Sequence, residues 1–411
     1  MKLKPACRHC GESLTQTFVD LGMSPLANSY VPLDTPTKPC SRYPLHARVC
    51  SECLLVQVED AVPASAIFSD QYAYFSSFSD SWLQHCKVFA QSAIERFNIN
   101  ENDLVIEIAS NDGYLLQYFV QAGIKVLGIE PTANTASVAI AKGVPTLVEF
   151  FNFPLAARLK GEGIKPRLIC SANVLAHVPD INDFVRGISE LLQGDSVYTV
   201  EFPHLKNLIE QVQFDTIYHE HYTYLSLVFL ERLFATCGLR VFDVDKLQTH
   251  GGSLRLYVCK TTATYEESPS VAATRAEEAA VGLDKATGYK GFSDKVNAVK
   301  AGLQSFLASA KSEGKVVAAY GAAAKGNTLL NFCEIGPLEI AYCVDRNPAK
   351  QNTLLPGSHI PVYPIGKLTE SPPDFLLILP WNLRTEISEQ LKSLRESGTR
   401  FVIPLPALEI F

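Results

Sequence analysis

Long apolar runs are missing from this chain of 411 residues. No stretch approaches the roughly 20 apolar residues that an α-helix needs to cross the hydrocarbon core of a bilayer. The chain begins Met1, Lys2, Leu3 and meets Cys7 soon afterwards, without an apolar segment of the kind that directs secretion. These absences predict that the protein is not embedded in a membrane and that it is cytoplasmic.

A block of lysine and arginine that could follow a phosphate backbone is also missing. The chain has 36 basic and 43 acidic residues, a formal net charge of -7, which argues against nucleic acid as a partner. The chain is longer than a single hydrophobic core usually supports, so we expect two or three domains.

The cysteines are arranged for a metal rather than for disulfides. Eleven cysteines in a large chain without a secretion signal are best interpreted as metal ligands and buried thiols. Four form two Cys-x-x-Cys knuckles: Cys7 with Cys10, and Cys50 with Cys53. Each knuckle presents two thiolates from one tight turn, so the pairs together predict a tetrahedral, structural zinc site. Three nearby residues are weaker candidate ligands: Cys40, His9 and His46.

From about Leu104, apolar strands alternate with amphipathic helices, which is typical of a parallel sheet covered on both faces. The predicted strands span 104–109, 125–130, 167–173 and 196–202, and the predicted helices span 114–122 and 181–193. The small and polar composition between about Thr261 and Lys285 predicts a linker or an exposed helix. A second series follows, with strands at 315–320, 338–344, 375–379 and 400–403 and a helix at 321–332.

The turn after the first predicted strand carries candidate cofactor ligands: Glu107, Ala109, Asn111 and Gly113. Glu130 ends the second strand, where an acidic side chain can accept hydrogen bonds from ribose hydroxyls. The turn lacks the three spaced glycines of the dinucleotide fingerprint, so pyrophosphate binding there is poorly supported. A nucleoside without phosphates needs no such cradle, and this favours S-adenosylmethionine as the cofactor.

Asn173 and His177 follow the strand at 167–173 and would form a polar wall at the carboxyl edge of the sheet, where such ligands bind. Contact with the cofactor and a capped strand-to-helix loop are equally good interpretations of the pair.

The most reactive stretch is Tyr218, His219, Glu220, His221 and Tyr222. Histidine titrates near neutral pH and suits a general base, a carboxylate can orient an imidazole, and phenols can donate to a developing oxyanion. The alternative is a half-buried strand or loop. Spacing alone leaves either histidine as the base.

Together these segments resemble the sugar C-methyltransferase family, whose members methylate nucleotide-linked 4-keto-deoxyhexoses at C-3, beside the ketone. The resemblance covers the whole chain. It rests on the paired knuckles and on E-I-A-S-N-D-G-Y, N-V-L-A-H-V-P-D, Y-H-E-H-Y, H-G-G-S-L-R and Y-G-A-A-A-K-G-N-T.

The resemblance implies an α/β protein of three domains. These are a small zinc-binding module at 1–68, a Rossmann-like class I methyltransferase domain at 69–285, and a second Rossmann-like domain at 286–411. The sugar nucleotide would lie between the last two. The resemblance also implies that His221 removes the proton beside the ketone, with Glu220 and Tyr218 near the sugar; Tyr222 completes the predicted catalytic set.

Further residues are candidates for substrate binding. Four match a family segment that borders the active site, with an interdomain loop as the alternative: Tyr72, Tyr74, Ser76 and Ser77. His250 and Arg255 flank a glycine turn into a strand, although Arg255 can equally be a structural ion-pair partner. Lys325 follows a turn of small residues and is predicted to hold the pyrophosphate; an exposed helix lysine is the alternative.

Two other classes of protein stay open. A zinc-bearing, nicotinamide-dependent oxidoreductase acting on a nucleotide sugar would suit two βα domains and a histidine base, but the missing glycine fingerprint argues against it. A non-catalytic interaction protein built on a zinc ribbon leaves the Tyr/His/Glu run unexplained. We expect a monomer with no nucleic-acid partner.

Overall fold

The computed structural model describes residues 5–34, 40–59, 62 and 75–411. The strands are β1 Gln16–Pro25, β2 Val31–Pro32, β3 Arg42–Val49, β4 Val56–Val58, β5 Leu104–Ile108, β6 Lys125–Ile129, β7 Thr146–Leu147, β8 Leu168–Ala172, β9 Val197–Pro203, β10 Thr223–Tyr224, β11 Leu239–Leu247, β12 Ser253–Lys260, β13 Val317–Tyr320, β14 Cys343–Val344, β15 Thr353–Leu354, β16 Pro361–Tyr363, β17 Phe375–Ile378, β18 Arg400–Ile403 and β19 Glu409–Ile410.

The α-helices are α1 Asp80–Arg96, α2 Leu116–Gln121, α3 Ala133–Ala141, α4 Phe153–Gly161, α5 Ile181–Leu191, α6 Leu205–Glu210, α7 Leu227–Ala235, α8 Pro269–Ala280, α9 Phe292–Ser312, α10 Ala324–Phe332, α11 Lys367–Glu370, α12 Arg384–Gln390 and α13 Lys392–Glu396. Short 3-10 turns lie at Ser76–Phe78, Leu175–His177, Phe214–Thr216, Thr249–Gly251, Ala286–Tyr289 and Trp381–Leu383.

The middle part of the chain forms a seven-stranded sheet in the order β11-β12-β9-β8-β5-β6-β7. Strands β9 to β7 in this order are parallel; β9, β8, β5 and β6 agree with the predicted strands to within two residues, whereas β7 was not predicted. The prediction of a parallel sheet is wrong at one edge, because β12 pairs antiparallel with both β9 and β11. The carboxyl ends of β5, β6 and β8 therefore lie side by side.

Helix α5 illustrates how the local sequence places this edge. Its buried residues recur every three or four positions, so one face packs on the sheet: Ile181, Phe184, Val185, Ile188 and Leu191. It begins at Asp180, whose side chain accepts the backbone N–H of Asp183 at 2.9 Å.

The last part of the chain forms an eight-stranded sheet in the order β19-β18-β17-β13-β14-β16-β15-β2. Its centre is parallel, whereas β19, β15 and β2 pair antiparallel. The predicted helix at 321–332 begins only at Ala324, and the predicted strand at 338–344 is reduced to Cys343–Val344. Strand β2 belongs to the amino-terminal segment, so this sheet unites the two ends of the chain.

The amino-terminal segment forms a third sheet, ordered β1-β3-β4-β10. Strand β10 follows the Tyr/His/Glu run directly. The apolar side chains of this segment divide between two larger cores: Cys50 and Leu55 pack with the middle sheet, whereas Phe18 and Leu45 pack with the last one. The boundaries at 68/69 and 285/286 stay predictions; β10 pairs with β4 across the first, and β2 pairs with β15 across both.

Helix α8 occupies the segment predicted as a linker or an exposed helix. The linker alternative is wrong, because Val271, Thr274 and Glu278 are buried. Glu278 accepts the backbone N–H groups of Leu227 at 2.7 Å and Val228 at 2.9 Å, and so caps the start of α7.

The longest helix, α9, is amphipathic, with Val296, Leu303 and Leu307 among its buried residues. Across the described ranges, no helix has the length and apolar character that crossing a membrane requires.

Candidate active site and zinc centre

The two cysteine knuckles come together. The four sulfur atoms lie within 4.8 Å of one another, with Cys7 3.5 Å from Cys53 and Cys10 3.5 Å from Cys50. A tetrahedral zinc ion with bonds of about 2.3 Å holds its sulfur ligands about 3.8 Å apart, so the donor set fits this ion. In the described part of the chain, this is the one group of His, Cys, Asp or Glu side chains arranged to hold a metal.

Gln57 supports this cluster and was not predicted. Its Nε2–H donates to Cys7 Sγ at 3.2 Å, while its Oε1 accepts the backbone N–H of Arg8 at 2.9 Å. Such outer contacts hold ligands in place and balance the charge of thiolates.

The three weaker candidate ligands lie outside the cluster, and their prediction is wrong because each makes another contact. The Nδ1 of His9 lies 2.7 Å from Asn182 Oδ1, the Nε2 of His46 lies 2.9 Å from Thr17 Oγ1, and Cys40 contacts the carbonyl of Ser41.

A cavity of about 680 Å³ lies at the carboxyl edge of the middle sheet. It is lined by the loops after β5, β6 and β8, by the Tyr/His/Glu run and by the turn that precedes α10. Its volume lies within the usual range for small-molecule sites. Both predicted binding regions therefore open onto one space.

The turn after β5 contains three left-handed residues: Ala109 (φ +55°), Asn111 (φ +48°) and Gly113 (φ +77°). Left-handed backbone in a residue with a Cβ costs of order 1 kcal/mol and is retained where the surroundings require it. The sequence showed Ala109 and Asn111 where glycines would stand, and both adopt glycine-like conformations. Both line the cavity.

Glu130 closes the same turn and lines the cavity. Its Oε2 accepts the N–H of Asn111 at 2.9 Å, and its Oε1 accepts the N–H of Thr132 at 2.9 Å and the Thr132 hydroxyl. A carboxylate offers about four acceptor positions, so Oε2 retains one for a ligand hydroxyl. Glu107 lies behind the turn, fully buried and outside the lining, and burial raises its pKa well above the usual value.

Asn173 and His177 both line the cavity. Asn173 is left-handed (φ +59°), and its Nδ2 lies 3.1 Å from His250 Nε2. Burial lowers the pKa of His177 to about 4, and its ring stands edge-on to His221 with centroids 4.6 Å apart. The loop after β8 therefore joins the cofactor turn to the Tyr/His/Glu run.

His221 is held in one tautomer. Its Nδ1 lies 2.8 Å from the carbonyl of Thr216, which can only accept, so Nδ1 carries the proton. Its Nε2 lies 2.9 Å from the Tyr218 hydroxyl, which donates to it. Burial, with His177 adding to it, lowers the pKa of His221 well below its ordinary value. The imidazole is thus neutral near pH 7, and its Nε2 lone pair accepts from Tyr218, which lines the same cavity.

The other members of the run point elsewhere or play another part. His219 lies outside the lining, with Nε2 3.2 Å from the carbonyl of Pro44 in β3. Tyr222 is also buried away from the cavity, with the Arg8 guanidinium 5.2 Å from its ring centre. Glu220 lines the cavity and accepts the Asn28 amide at 2.6 Å, while burial raises its pKa.

Lys325 reaches the cavity from the start of α10. Burial lowers its pKa to about 8, against the influence of Asp215. Its ammonium lies 4.6 Å from the centre of the Trp381 ring and donates to Asn382 Oδ1. Lys325 is therefore not an exposed helix lysine, which was the alternative interpretation of this residue.

Of the other residues predicted to bind substrate, some line the cavity and some lie outside it. Ser76 and His250 line the cavity, whereas the Ser77 hydroxyl accepts a hydrogen bond from Lys142 outside it. Arg255 also lies outside the lining and donates to Glu201 at 2.6 Å, as the ion-pair alternative proposed. Tyr72 and Tyr74 lie outside the described residues.

Several lining residues were not predicted: Asn28, Trp82, Tyr224, Asp180 and Lys350. Asp180 was identifiable as a helix cap. Asn28 and Lys350 stand far from the motifs in sequence and carry no local signal of a site.

Three family models match the chain. The model described as "Putative zinc binding domain" matches residues 7–68, "Methyltransferase domain" matches 82–244, and "C-methyltransferase C-terminal domain" matches 248–406. The C-methyltransferase NovU of Streptomyces niveus is 36% identical over 400 residues, which cover 97% of this chain and 95% of that protein.

Solved structures are similar over part of the chain. Magnesium protoporphyrin IX methyltransferase of Synechocystis with bound S-adenosylmethionine is 14% identical, with a TM-score of 0.36, over 49% of this chain and 100% of that one. An S-adenosylmethionine-dependent methyltransferase of Clostridium acetobutylicum is 12% identical, with a TM-score of 0.36, over 45% of this chain and 93% of that one.

Proposed function

The chain belongs to the family of S-adenosylmethionine-dependent C-methyltransferases, and we propose that it methylates C-3 of a nucleotide-linked 4-keto-deoxysugar, with His221 as the base. The pathway would be branched-deoxysugar biosynthesis. Family membership replaces the oxidoreductase and the non-catalytic alternatives. The observation that carries the proposal is the single cavity shared by the turn at Ala109 and Asn111, by Tyr218 and by His221.

The proposed reaction needs a base because a ring carbon becomes nucleophilic only after losing a proton beside a ketone. Neutral His221 keeps its proton on Nδ1, which Thr216 holds, and its Nε2, which now accepts from Tyr218, would take the sugar proton once the Tyr218 hydroxyl turned to the ketone oxygen. The Tyr218 hydroxyl, which lines the same cavity, would then donate to the oxyanion that forms as the proton leaves. His219 faces β3 instead, so its geometry does not support a role as the base.

Bound S-adenosylmethionine supplies an electrophilic methyl group. The residues present fit it: the left-handed turn at Ala109 and Asn111 exposes backbone to the cavity, Glu130 has an acceptor position for a ribose hydroxyl, and Asn173 and His177 line the adjoining wall.

The charges that line the cavity support a cationic cofactor and an anionic substrate. Glu130, Asp180 and Asp183 lie on the side of the middle sheet, whereas Lys325 and Lys350 come from the carboxyl-terminal part. A sulfonium suits the first side, and the diphosphate of a nucleotide sugar suits the second. This division supports the substrate class without selecting the nucleotide.

The test is incubation with methyl-labelled S-adenosylmethionine and a panel of nucleotide-linked 4-keto-6-deoxysugars in deuterated water, followed by mass spectrometry and NMR. We expect labelled methyl on C-3 of the sugar. Methyl transfer to oxygen or nitrogen, or no transfer together with no deuterium beside the ketone, would contradict the proposal.

We propose in addition that the protein acts as a cytoplasmic monomer with domains at 1–68, 69–285 and 286–411. Sedimentation at micromolar concentration tests the oligomeric state.

A further inference from the structure

Residues 26–32, here called the connecting segment, leave the zinc-bearing sheet after β1 and cross to the carboxyl-terminal part of the chain. Strand β2, at the end of this segment, pairs with β15. Two further contacts fix it: the Tyr30 hydroxyl donates to the carbonyl of Ala322 at 2.5 Å, and the Asn327 amide donates to the carbonyl of Ala27 at 2.7 Å.

Between these anchors, Asn28 projects into the cavity. Its Nδ2–H donates to Glu220 Oε1 at 2.6 Å, and both side chains line the cavity wall. The two residues are remote in sequence, and Glu220 lies between the candidate base and the histidine that faces β3. The amino-terminal segment therefore touches the reactive run inside the cavity as well as through Pro44 at His219 and Arg8 at Tyr222.

We propose that Asn28 is a positioning residue for methyl transfer, which holds the Glu220 carboxylate in its place beside the reacting sugar. This inference rests on the proposed function. A rigid backbone on either side of Asn28 makes the contact precise without help from the substrate, and pre-organised partners contribute to rate through orientation. The amino-terminal segment would then supply part of the active site as well as a metal cluster.

The electrostatics of Glu220 agree with this geometry. Burial raises its pKa, while the hydrogen bond from Asn28 and the charge of Lys350 lower it. Removing the donor should therefore raise the pKa, and a second carboxylate at position 28 should raise it further. As the pH falls, activity that depends on ionised Glu220 would then be lost at a higher pH in the Asn28 variants than in the wild type.

The experiment compares Asn28→Ala and Asn28→Asp with Ser29→Ala, a matched control on the same segment. The Ser29 hydroxyl donates to the carbonyl of Leu26 at 2.7 Å and is not part of the lining. For Asn28→Asp we expect kcat/KM to fall about 10-fold to 100-fold, the range for a hydrogen bond to a charged group, with a smaller fall for Asn28→Ala. We expect zinc content, thermal stability and S-adenosylmethionine affinity to stay at the wild-type level.

A second readout needs no substrate. Carboxyl-carbon NMR of protein labelled in glutamate, assigned with Glu220→Gln, follows the titration of Glu220 in each variant. An upward shift in both Asn28 variants, with none in Ser29→Ala, supports the proposal. An unchanged titration and unchanged kcat/KM in Asn28→Asp would overturn it. If the wild type methylates no keto sugar, the proposed function fails, whereas the NMR titration still decides whether Asn28 holds Glu220.

Discussion

The indole Nε1–H of Trp381 donates a hydrogen bond of 2.7 Å to Oδ2 of Asp215. Asp215 precedes the Tyr/His/Glu run, and Trp381 follows β17 in the last sheet, so this bond ties the run to the carboxyl-terminal part. Burial raises the pKa of Asp215 to about 6 and lowers the pKa of Lys325 to about 8. Lys325 therefore loses its charge within a pH range that kinetic experiments can reach.

The first prediction concerns this titration. Lys325 is protonated below pH 8 and neutral above it, so affinity for an anionic substrate should be present at pH 7 and lost as the pH rises. We expect kcat/KM to decrease between about pH 7.5 and 9 in the wild type. In Lys325→Arg the decrease should disappear, because a guanidinium stays protonated. Initial rates across this range provide the measurement, with Lys392→Arg as a surface control. The same decrease in Lys325→Arg would show that another group titrates.

The second prediction separates the two histidines of the run. His221→Asn should lower deuterium exchange at C-3 of the sugar by about 10²-fold to 10⁴-fold, the usual contribution of a general base. His219→Asn should leave exchange within a few-fold of wild type and reduce stability by about 1 kcal/mol, because it loses a contact to Pro44. Calorimetry should find S-adenosylmethionine affinity nearly intact in both. A reversal of the two exchange results would assign the base to His219.

The third prediction concerns zinc. Cys50→Ser should lower the metal content below one ion per chain and reduce the melting temperature, because metal binding and folding are coupled. Cys40→Ser, which changes a cysteine outside the cluster, should leave both unchanged. Mass spectrometry of the metal and thermal unfolding provide the measurements. Metal-free wild-type protein that is fully folded and active would exclude the structural role.

The outer contact of the zinc cluster can be tested separately. Gln57→Leu removes the N–H donor to Cys7 Sγ and should weaken zinc binding about 10-fold to 100-fold, as measured by competition with a chelator. Equal zinc affinity in the wild type and in Gln57→Leu would show that Gln57 only packs against the cluster.

A further prediction uses two glutamates of one region. In Glu130→Gln an amide N–H group faces the backbone N–H groups of Asn111 and Thr132, from which Glu130 now accepts hydrogen bonds. S-adenosylmethionine affinity should therefore decrease about 10-fold. Glu107→Gln should leave affinity close to wild type, because burial already favours the neutral carboxyl and the side chain lies outside the cavity. Titration calorimetry compares them, and a larger loss in Glu107→Gln would reverse the assignment.

Local features of this protein were predictable from the sequence. The Cys-x-x-Cys spacing at Cys7 and Cys50 is typical of zinc sites. Strands β5, β6 and β8 are short apolar runs between turns. Two elements, α10 and β14, depart from their predicted bounds. The turn between β13 and α10 stays non-helical until Ala324, and β14 keeps only two residues because the sequence before it forms a turn and a loop.

Side-chain direction within the reactive run was not predictable. The run lies in a turn and loop between a 3-10 turn and β10, so neither helical nor strand periodicity tells which of His219 and His221 faces the cavity. The structure orients His219 through the carbonyl of Pro44, which is remote in sequence, and His221 through the carbonyl of Thr216, five residues earlier. Contacts such as Asn28 with Glu220 depend on the packing of distant segments, which local patterns do not encode.

The pairing of β2 with β15 has a consequence for the order in which the chain folds during synthesis. Strand β2 leaves the ribosome early, but its partner at Thr353–Leu354 emerges only about 320 residues later. Phe18 and Leu45 of the first segment belong to a core whose other members extend as far as Leu405. Nascent chains should therefore keep this segment protease-sensitive until β15 has emerged, and they would need protection from aggregation during that time.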